Sequence, residues 1–426
     1  MLNLEQLTTL PAGQPLAIKN VRLFDGQSDA ALEKAGLVVR NGRIEAVGAL
    51  DQLKIPEDAF VVDADGYTLL PGLMDCHVHT MSNGEPDLEK ILTKEFPTFL
   101  AIKAGENAGR LLAAGFTTVR DAGADFYIGV GLRKATATGL IPGPHMLVAG
   151  SILSITGGHG DLHFCPHIHP ETPGVVDGPE EMRKVARTQL KNGVDVIKMC
   201  ATGGVLSEGD EPGAAQFTIE EMRAAIEEAH KAGKRAAAHA IGTSGIKNAI
   251  RAGINTIEHG CLLDDEAIEL LLANKVFLVP TLVAPYHIVE VGTQAGIPEY
   301  AVEKAKALIE RHRESFQKAA KAGVQIAMGT DAGTPFNRHG ENALELEFMA
   351  ELGLSNAATI KATTATAAEA LGVSQDRGVL ADGKRADLLL VEGDPVSNIR
   401  LLQDKSKLNV FKDGRLVASG GKLLRG

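Results

Sequence analysis

The sequence predicts an α/β protein, a (β/α)8 TIM barrel carrying a small β-sandwich domain built from both termini. Three observations predict it. Between residues 68 and 371, eight apolar strand-like runs alternate with longer stretches of helical periodicity. The two ends of the chain share another texture, short strands parted by Asn-Gly and Asp-Gly turns. The length of 426 residues exceeds one ordinary compact domain, yet suits a barrel of roughly 250 residues or more with a smaller unit beside it.

The first part of the β-domain spans residues 1–67, with LAIKNVRLF, GLVVRNGRIEAVGA and AFVVDADG as strands. Asn41-Gly42 supplies the positive φ angles that a two-residue hairpin turn needs. The barrel spans 68–371. Its strands are LLPGLMDCHVH, FTTVRDAG, HMLVAGS, VDVIKMCA, RAAAHAI, INTIEHG, VFLVPTL and VQIAMGTDAG. Between them, IEEMRAAIEEAHKAGK and DDEAIELLLANK place apolar residues three and four apart, with Gly or Asn near the exit, as helices preceding a strand do. The closing part, 372–426, returns to the first texture with RADLLLVEGD and LNVFKDGRLVASGGK, and Asp413-Gly414 sits at a hairpin tip.

Composition narrows the function. With 44% hydrophobic residues and 47 glycines the chain is well cored and rich in tight turns, which excludes disorder. A net charge of −11 without a Lys/Arg run excludes the counterion-driven binding of nucleic acid. Cys76, Cys165, Cys200 and Cys261 are scattered and read as thiols. The first residues lack the basic start and apolar core of a signal peptide, and no apolar run approaches the ~20 residues of a membrane span. The expectation is a cytoplasmic enzyme acting on a small molecule or short peptide, with no nucleic-acid or membrane partner.

The polar residues at the strand ends carry the chemistry. Side chains two apart on a strand point the same way, so His77 and His79 aim at one place. Strand four carries Lys198, strand five ends at His239, strand six at His259 and strand eight at Asp331. In a barrel these C-terminal ends surround a single pocket. Four imidazoles and a carboxylate suit borderline divalent metals such as zinc. A protonated lysine beside two cations would be repelled, whereas one carbamylated by carbon dioxide is an anion able to bridge them; the plain alternative is a buried strand lysine paired with an acid.

This set resembles the amidohydrolase superfamily in its HxH on strand one, lysine on strand four, histidines on strands five and six and aspartate on strand eight. PGLMDCHVH, TTVRDAG, TIEHG, GTDAG and GVLADGKRADLLLVEGDP extend the likeness over nearly the whole chain. The resemblance implies two divalent ions, with zinc the first choice over manganese or cobalt, and N6-carboxylysine at Lys198. It implies that His77, His79, Lys198 and Asp331 hold one ion, and Lys198, His239 and His259 the other. ITGGHGD, KMCATGGVLS and AQFTIEEM are most similar to the dipeptidase and carboxypeptidase group, which includes Xaa-Pro dipeptidases, enzymes releasing C-terminal arginine or lysine, and ochratoxin hydrolases. Some prolidase-like members have a tyrosine after the strand-five histidine; here the chain reads His239-Ala240-Ile241, which weakens proline specificity. Homo-oligomers are common in the family.

The reaction implied is release of a C-terminal amino acid from a dipeptide or N-acyl amino acid by a hydroxide shared between the ions. Asp331 would take the proton of the attacking water and pass it to the leaving amine. The same ligands would also serve a cyclic amide, a lactone or a phosphoester. A non-catalytic relative would be free to lose ligands, and all six are present. His159, in Gly-Gly-His, is the candidate for contacting the oxyanion or the substrate carboxylate; Tyr286, His287, Arg338 and His339 are further candidates for lining the pocket. SEGDEPG reads as a solvated loop, and HFCPHIHP as a lid over the pocket rather than a second zinc site.

Overall fold

The computed structural model describes residues 7, 11, 13–162, 164–165, 167–168 and 172–424. Five strands open the chain: β1 (Leu16–Leu23), β2 (Leu32–Arg40), β3 (Arg43–Ala49), β4 (Phe60–Asp63) and β5 (Tyr67–Pro71). The β2–β3 turn is the expected one, with φ of 51° at Asn41 and 77° at Gly42. Seven strands follow: β6 (Leu73–Val78), β7 (Phe116–Asp121), β8 (His145–Val148), β9 (Val196–Cys200), β10 (Arg235–Ala240), β11 (Thr256–His259) and β12 (Phe277–Val279). Four more close the chain: β13 (Leu388–Glu392), β14 (Leu408–Lys412), β15 (Arg415–Ser419) and β16 (Lys422–Leu423).

The two termini do build one unit. Hydrogen bonding runs β16-β15-β14-β13-β5-β1-β2-β3, with β4 also on β1, as one nine-stranded sheet that is largely antiparallel. It splits at β1, whose first half pairs with β4 and whose end pairs with β5. Leu16, Ile18, Leu37 and Ile44 from one end of the chain and Leu388, Leu390 and Phe411 from the other form its apolar core. The chain leaves this sheet at Gly72, where a Cβ would fall 2.2 Å from Thr117 Oγ1, so only glycine lets β5 run directly into β6.

β6 to β12 are parallel, buried and separated by helices. They form two ladders, β6-β7-β8 and β9-β10-β11-β12. Helix Ile219–Lys231 starts with a capping box in which Thr218 and Glu221 satisfy each other's backbone N–H groups, and Asp264 caps helix Asp265–Asn274. The eighth expected strand, VQIAMGTDAG, is not a regular strand. Its backbone bonds alternate between neighbours: Ala327 N–H donates to Leu278 of β12 (2.9 Å), and it accepts from Cys76 of β6 at Met328 (2.9 Å). Met328 spends its own N–H on Ala362 (2.9 Å), and Asp331 turns left-handed at φ 60°, which breaks the ladder into isolated bridges. Among the described residues no helix is long and apolar enough to cross a membrane.

Candidate metal centre

The parallel strands deliver four histidines to one place. His77 is the penultimate residue of β6 with His79 just beyond its end, His239 lies in β10 and His259 ends β11. Ring centroids are 5.3 Å apart for His77–His79, 5.2 Å for His77–His259 and 4.6 Å for His239–His259, a continuous chain of imidazoles. Asp331 Oδ1 stands 3.3 Å from His77 Nε2 and 3.2 Å from His79 Nε2. Lys198, in β9, is buried, and Glu258 and Asp331 act on its charge.

Two of these residues sit in the left-handed region, His259 at φ 72° and Asp331 at φ 60°. Such backbone costs of order 1–3 kcal/mol and persists where its surroundings fix it. Thr281, at φ 55°, is a third, and its Oγ1 lies 2.7 Å from His259 Nδ1.

Each imidazole is tied from outside the cluster. His77 Nδ1 donates to Glu258 Oε2 (2.8 Å), His79 Nδ1 to the Gly123 carbonyl (3.2 Å) and His239 Nε2 to the Gly203 carbonyl (3.3 Å). An acceptor on one ring nitrogen fixes the proton there and leaves the other as a bare lone pair. Glu258 is itself held by Arg120, fully buried, through a 2.6 Å bond, and Arg120 also bonds the Cys76 carbonyl (2.6 Å). His339 supports the backbone, with Nε2 3.1 Å from the His79 carbonyl and 3.0 Å from that of Ser82.

Burial and the neighbouring imidazoles push His239 well below the ordinary histidine range, and burial does the same to His259. Both are neutral, the form that binds a metal. Burial opposes ionisation of Asp331, but the protons that His77 and His79 can turn toward it outweigh that and hold the carboxyl well below its usual range; against its own burial, His79 is raised by Asp331 in return, and a bound cation would displace these protons. Burial lowers Lys198 as well. Asp331 Oδ1 is buried and has no hydrogen-bond partner, although two imidazole nitrogens lie within ion-pair distance. A carboxylate oxygen and two Nε2 atoms converging on one point is an arrangement that a divalent cation satisfies once it takes the place of the imidazole protons, so the donor set fits such an ion.

The remaining candidates separate. His159 stacks on His239, centroids 4.2 Å apart, and burial lowers it to about 4. Tyr286 and His287 are half-buried; Tyr286 packs on Phe348 at 4.9 Å and on His287 at 5.4 Å, not on the histidine cluster. Arg338 is exposed and lines a lateral cleft of about 1300 Å³ with Asn83, Arg110 and Glu341, outside the cluster. Cys200 is buried and pushed up to about 12, an inert thiol. Cys165 and His167 are exposed, 3.0 Å apart; His163 and His169 of the same loop lie outside the described residues. Glu208 and Glu211 are solvated as expected, but the Asp210 side chain is only 7% exposed. Sequence reasoning missed Glu258, Arg120 and Thr281, and it offered His339 only as a pocket-lining candidate, whereas the ring braces backbone carbonyls. The only signal that TIEH carries for Glu258 is its place as a strand acid beside a ligand.

A parallel α/β unit with histidines and an aspartate at its strand ends, joined to a sheet made from both termini, carries the donors of a candidate divalent-metal site. The model of the amidohydrolase family matches residues 68–417, and the chain belongs to that family. It is a hydrolase acting on C–N bonds. It is 32% identical over 415 residues to the ochratoxinase of Aspergillus niger, covering 92% of this chain and 84% of that one. Among solved structures it resembles a Xaa-Pro dipeptidase with methionine bound in its active site, at TM-score 0.88 and 34% identity over 95% of this chain and 99% of the other. The A. niger ochratoxinase structure matches at TM-score 0.84 and 30% identity, over 96% of each chain.

Proposed function

We propose that this enzyme cleaves the amide bond of dipeptides or N-acyl amino acids and releases the C-terminal amino acid. The observation that carries the reading is the buried Asp331 Oδ1, without a hydrogen bond of its own, facing Nε2 of both His77 and His79. The amide-cleaving relatives that match nearly the whole chain support it. His77, His79, Lys198 and Asp331 would hold one divalent ion and Lys198, His239 and His259 a second, zinc being the first choice. When bound, such ions supply a water acidic enough to attack at neutral pH and polarise the scissile carbonyl.

The chain's own residues do the rest. Asp331, ionised at the strand ends, would take the proton of the attacking water and deliver it to the leaving amine. Lys198, buried and with its amine shifted toward the neutral form, is suited to take up carbon dioxide as N6-carboxylysine and bridge the ions. His159, stacked on His239, contacts the substrate. We read the two ladders and the run through Asp331 as a closed (β/α)8 barrel over residues 68–371, and residues 1–67 with 372–426 as a β-sandwich. The free cysteines suit a reducing compartment such as the cytoplasm, and we expect a homo-oligomer.

The test is amino-acid release from a panel of dipeptides and N-acyl amino acids by metal-loaded enzyme, with Lys198→Ala as the blank. Release of one class of C-terminal residue by the wild type alone is expected. Silence from protein that holds two ions per chain would sink the reading in favour of a cyclic amide, lactone or phosphoester.

A further inference from the structure

The loop between β9 and helix Ile219–Lys231 carries a polar chain that no metal ligand uses. It starts at His159, whose ring rests on Gly204: a Cβ there would fall 2.2 Å from His159 Cε1. His159 Nδ1 is 2.6 Å from Ser207 Oγ, and Ser207 Oγ is 2.7 Å from Asp210 Oδ1. Asp210 also accepts from Lys304 Nζ (2.9 Å) and from the Gly204 N–H (3.0 Å). Lys304 Nζ gives further bonds to the carbonyls of Ser207 (2.8 Å) and Asp210 (2.6 Å), which pins the loop to helix Glu299–Ala322.

Donor and acceptor capacity fixes the protons in this chain. A carboxylate paired with lysine only accepts, so the single hydroxyl proton of Ser207 goes to Asp210. Ser207 Oγ is then an acceptor toward the ring, and His159 Nδ1 must carry a proton. His159 Nε2 has no hydrogen-bond partner among the described residues and is the atom left for a bound molecule.

We propose that Ser207, Asp210 and Lys304 are positioning residues that fix the His159 ring and its Nδ1 proton, so that Nε2 is the atom presented to the substrate. The proposal rests on the reading of His159 as a substrate contact.

Two readouts on the metal-loaded enzyme test it. The first needs no substrate: ¹⁵N imidazole spectra, with His159→Gln identifying the His159 signals. A protonated Nδ1 is expected in the wild type, with its signal moved in Ser207→Ala and in Asp210→Asn while metal content stays unchanged. A bare Nδ1 in the wild type, or spectra unmoved by both substitutions, would overturn the proposal. The second is kinetic, on the panel substrate cleaved best. Ser207→Ala should lower kcat/KM by about ten- to a hundredfold, as a misplaced contact does, and Ser207→Thr should restore it. In a His159→Gln background Ser207→Ala should cost nothing more, whereas an additive loss would assign Ser207 some other role. Absence of turnover on every substrate would refute the amide-cleaving reading alone, since the spectra still decide whether Nδ1 is protonated.

Discussion

Two clusters of histidine and carboxylate lie at opposite ends of the same parallel strands. At the C-terminal ends, Asp331 Oδ1 stands 3.3 and 3.2 Å from His77 and His79. At the N-terminal end of β8, His145 Nε2 stands 3.4 Å from Asp387 Oδ2 and 3.5 Å from Asp413 Oδ2, where the small sheet meets the parallel strands. In each, three ligand atoms lie within 4.8 Å of one another, and a buried carboxylate oxygen lacks a hydrogen bond. Spacing does not separate them; charge does. Around His145, Arg385 bonds Asp413 at 2.5 Å and Asp376 at 2.9 Å, Arg377 bonds Asp376 at 2.9 Å and approaches Asp387 to 4.0 Å, and Lys412 is adjacent in sequence. Three cations already balance Asp376, Asp387 and Asp413. A divalent ion there would meet guanidinium groups, whereas at Asp331 it meets imidazole nitrogens.

The largest expected difference is in turnover. Asp331→Asn should lower kcat by about 10³-fold, the scale of a lost general acid-base group, with most of the bound metal kept. Asp387→Asn should leave kcat within about twofold, because it touches no reacting atom. Comparable losses from both would erase the distinction between the clusters.

Metal content sharpens it next. Elemental analysis should find two ions per chain in the wild type and in Asp387→Asn, and fewer in Lys198→Ala. Chelation should abolish activity and lower the melting temperature, since an ion bound only by the folded state stabilises it. A third ion that disappears in Asp387→Asn would make the lower cluster a metal site after all.

The fold and the upper cluster were legible in sequence to different depths. Strand alternation placed His77, His79, His239 and His259 on buried strand ends, and Asn41-Gly42 and Asp413-Gly414 set hairpins whose φ angles have the expected sign. The failure at VQIAMGTDAG has a local cause: periodicity registers apolar residues but not the left-handed turn at Asp331, imposed by what surrounds it. Glu258 and Arg120 escaped because a buried charge in a strand gives no sign of its partner, here 138 residues away. Asp210 escaped for the opposite reason, since its loop reads as solvated until Lys304, 94 residues on, covers it.

Stability should order the carboxylates differently from turnover. Burial raises Asp387, but its contacts with His145 and Arg377 win and hold it below the ordinary 3.8. A depressed carboxyl stabilises the fold above its ordinary range, and the contribution is lost as pH falls through the folded-state value. Asp387→Asn should therefore cost about 2 kcal/mol in urea unfolding at pH 7, with the gap from wild type closing only well below pH 4.

The smallest effect is expected at Glu228, which repeats the cation-balanced arrangement with solvent-exposed partners. Bonds from Arg187, Lys231 and Arg183 bring it down to about 2 from the ordinary 4.5. Its partners Arg187 and Lys231 are 61% and 63% exposed, so water screens the attraction and little of that shift survives as stability. Glu228→Gln should cost about 0.5 kcal/mol at pH 7 and low salt, less at 1 M salt, with the difference fading as pH falls from about 4.5 to about 2. A loss at Glu228 as large as that at Asp387 would mean that burial under the small sheet adds nothing to a cation-balanced carboxylate. The contrast between the two ends of the strands would then rest on the metal ions alone.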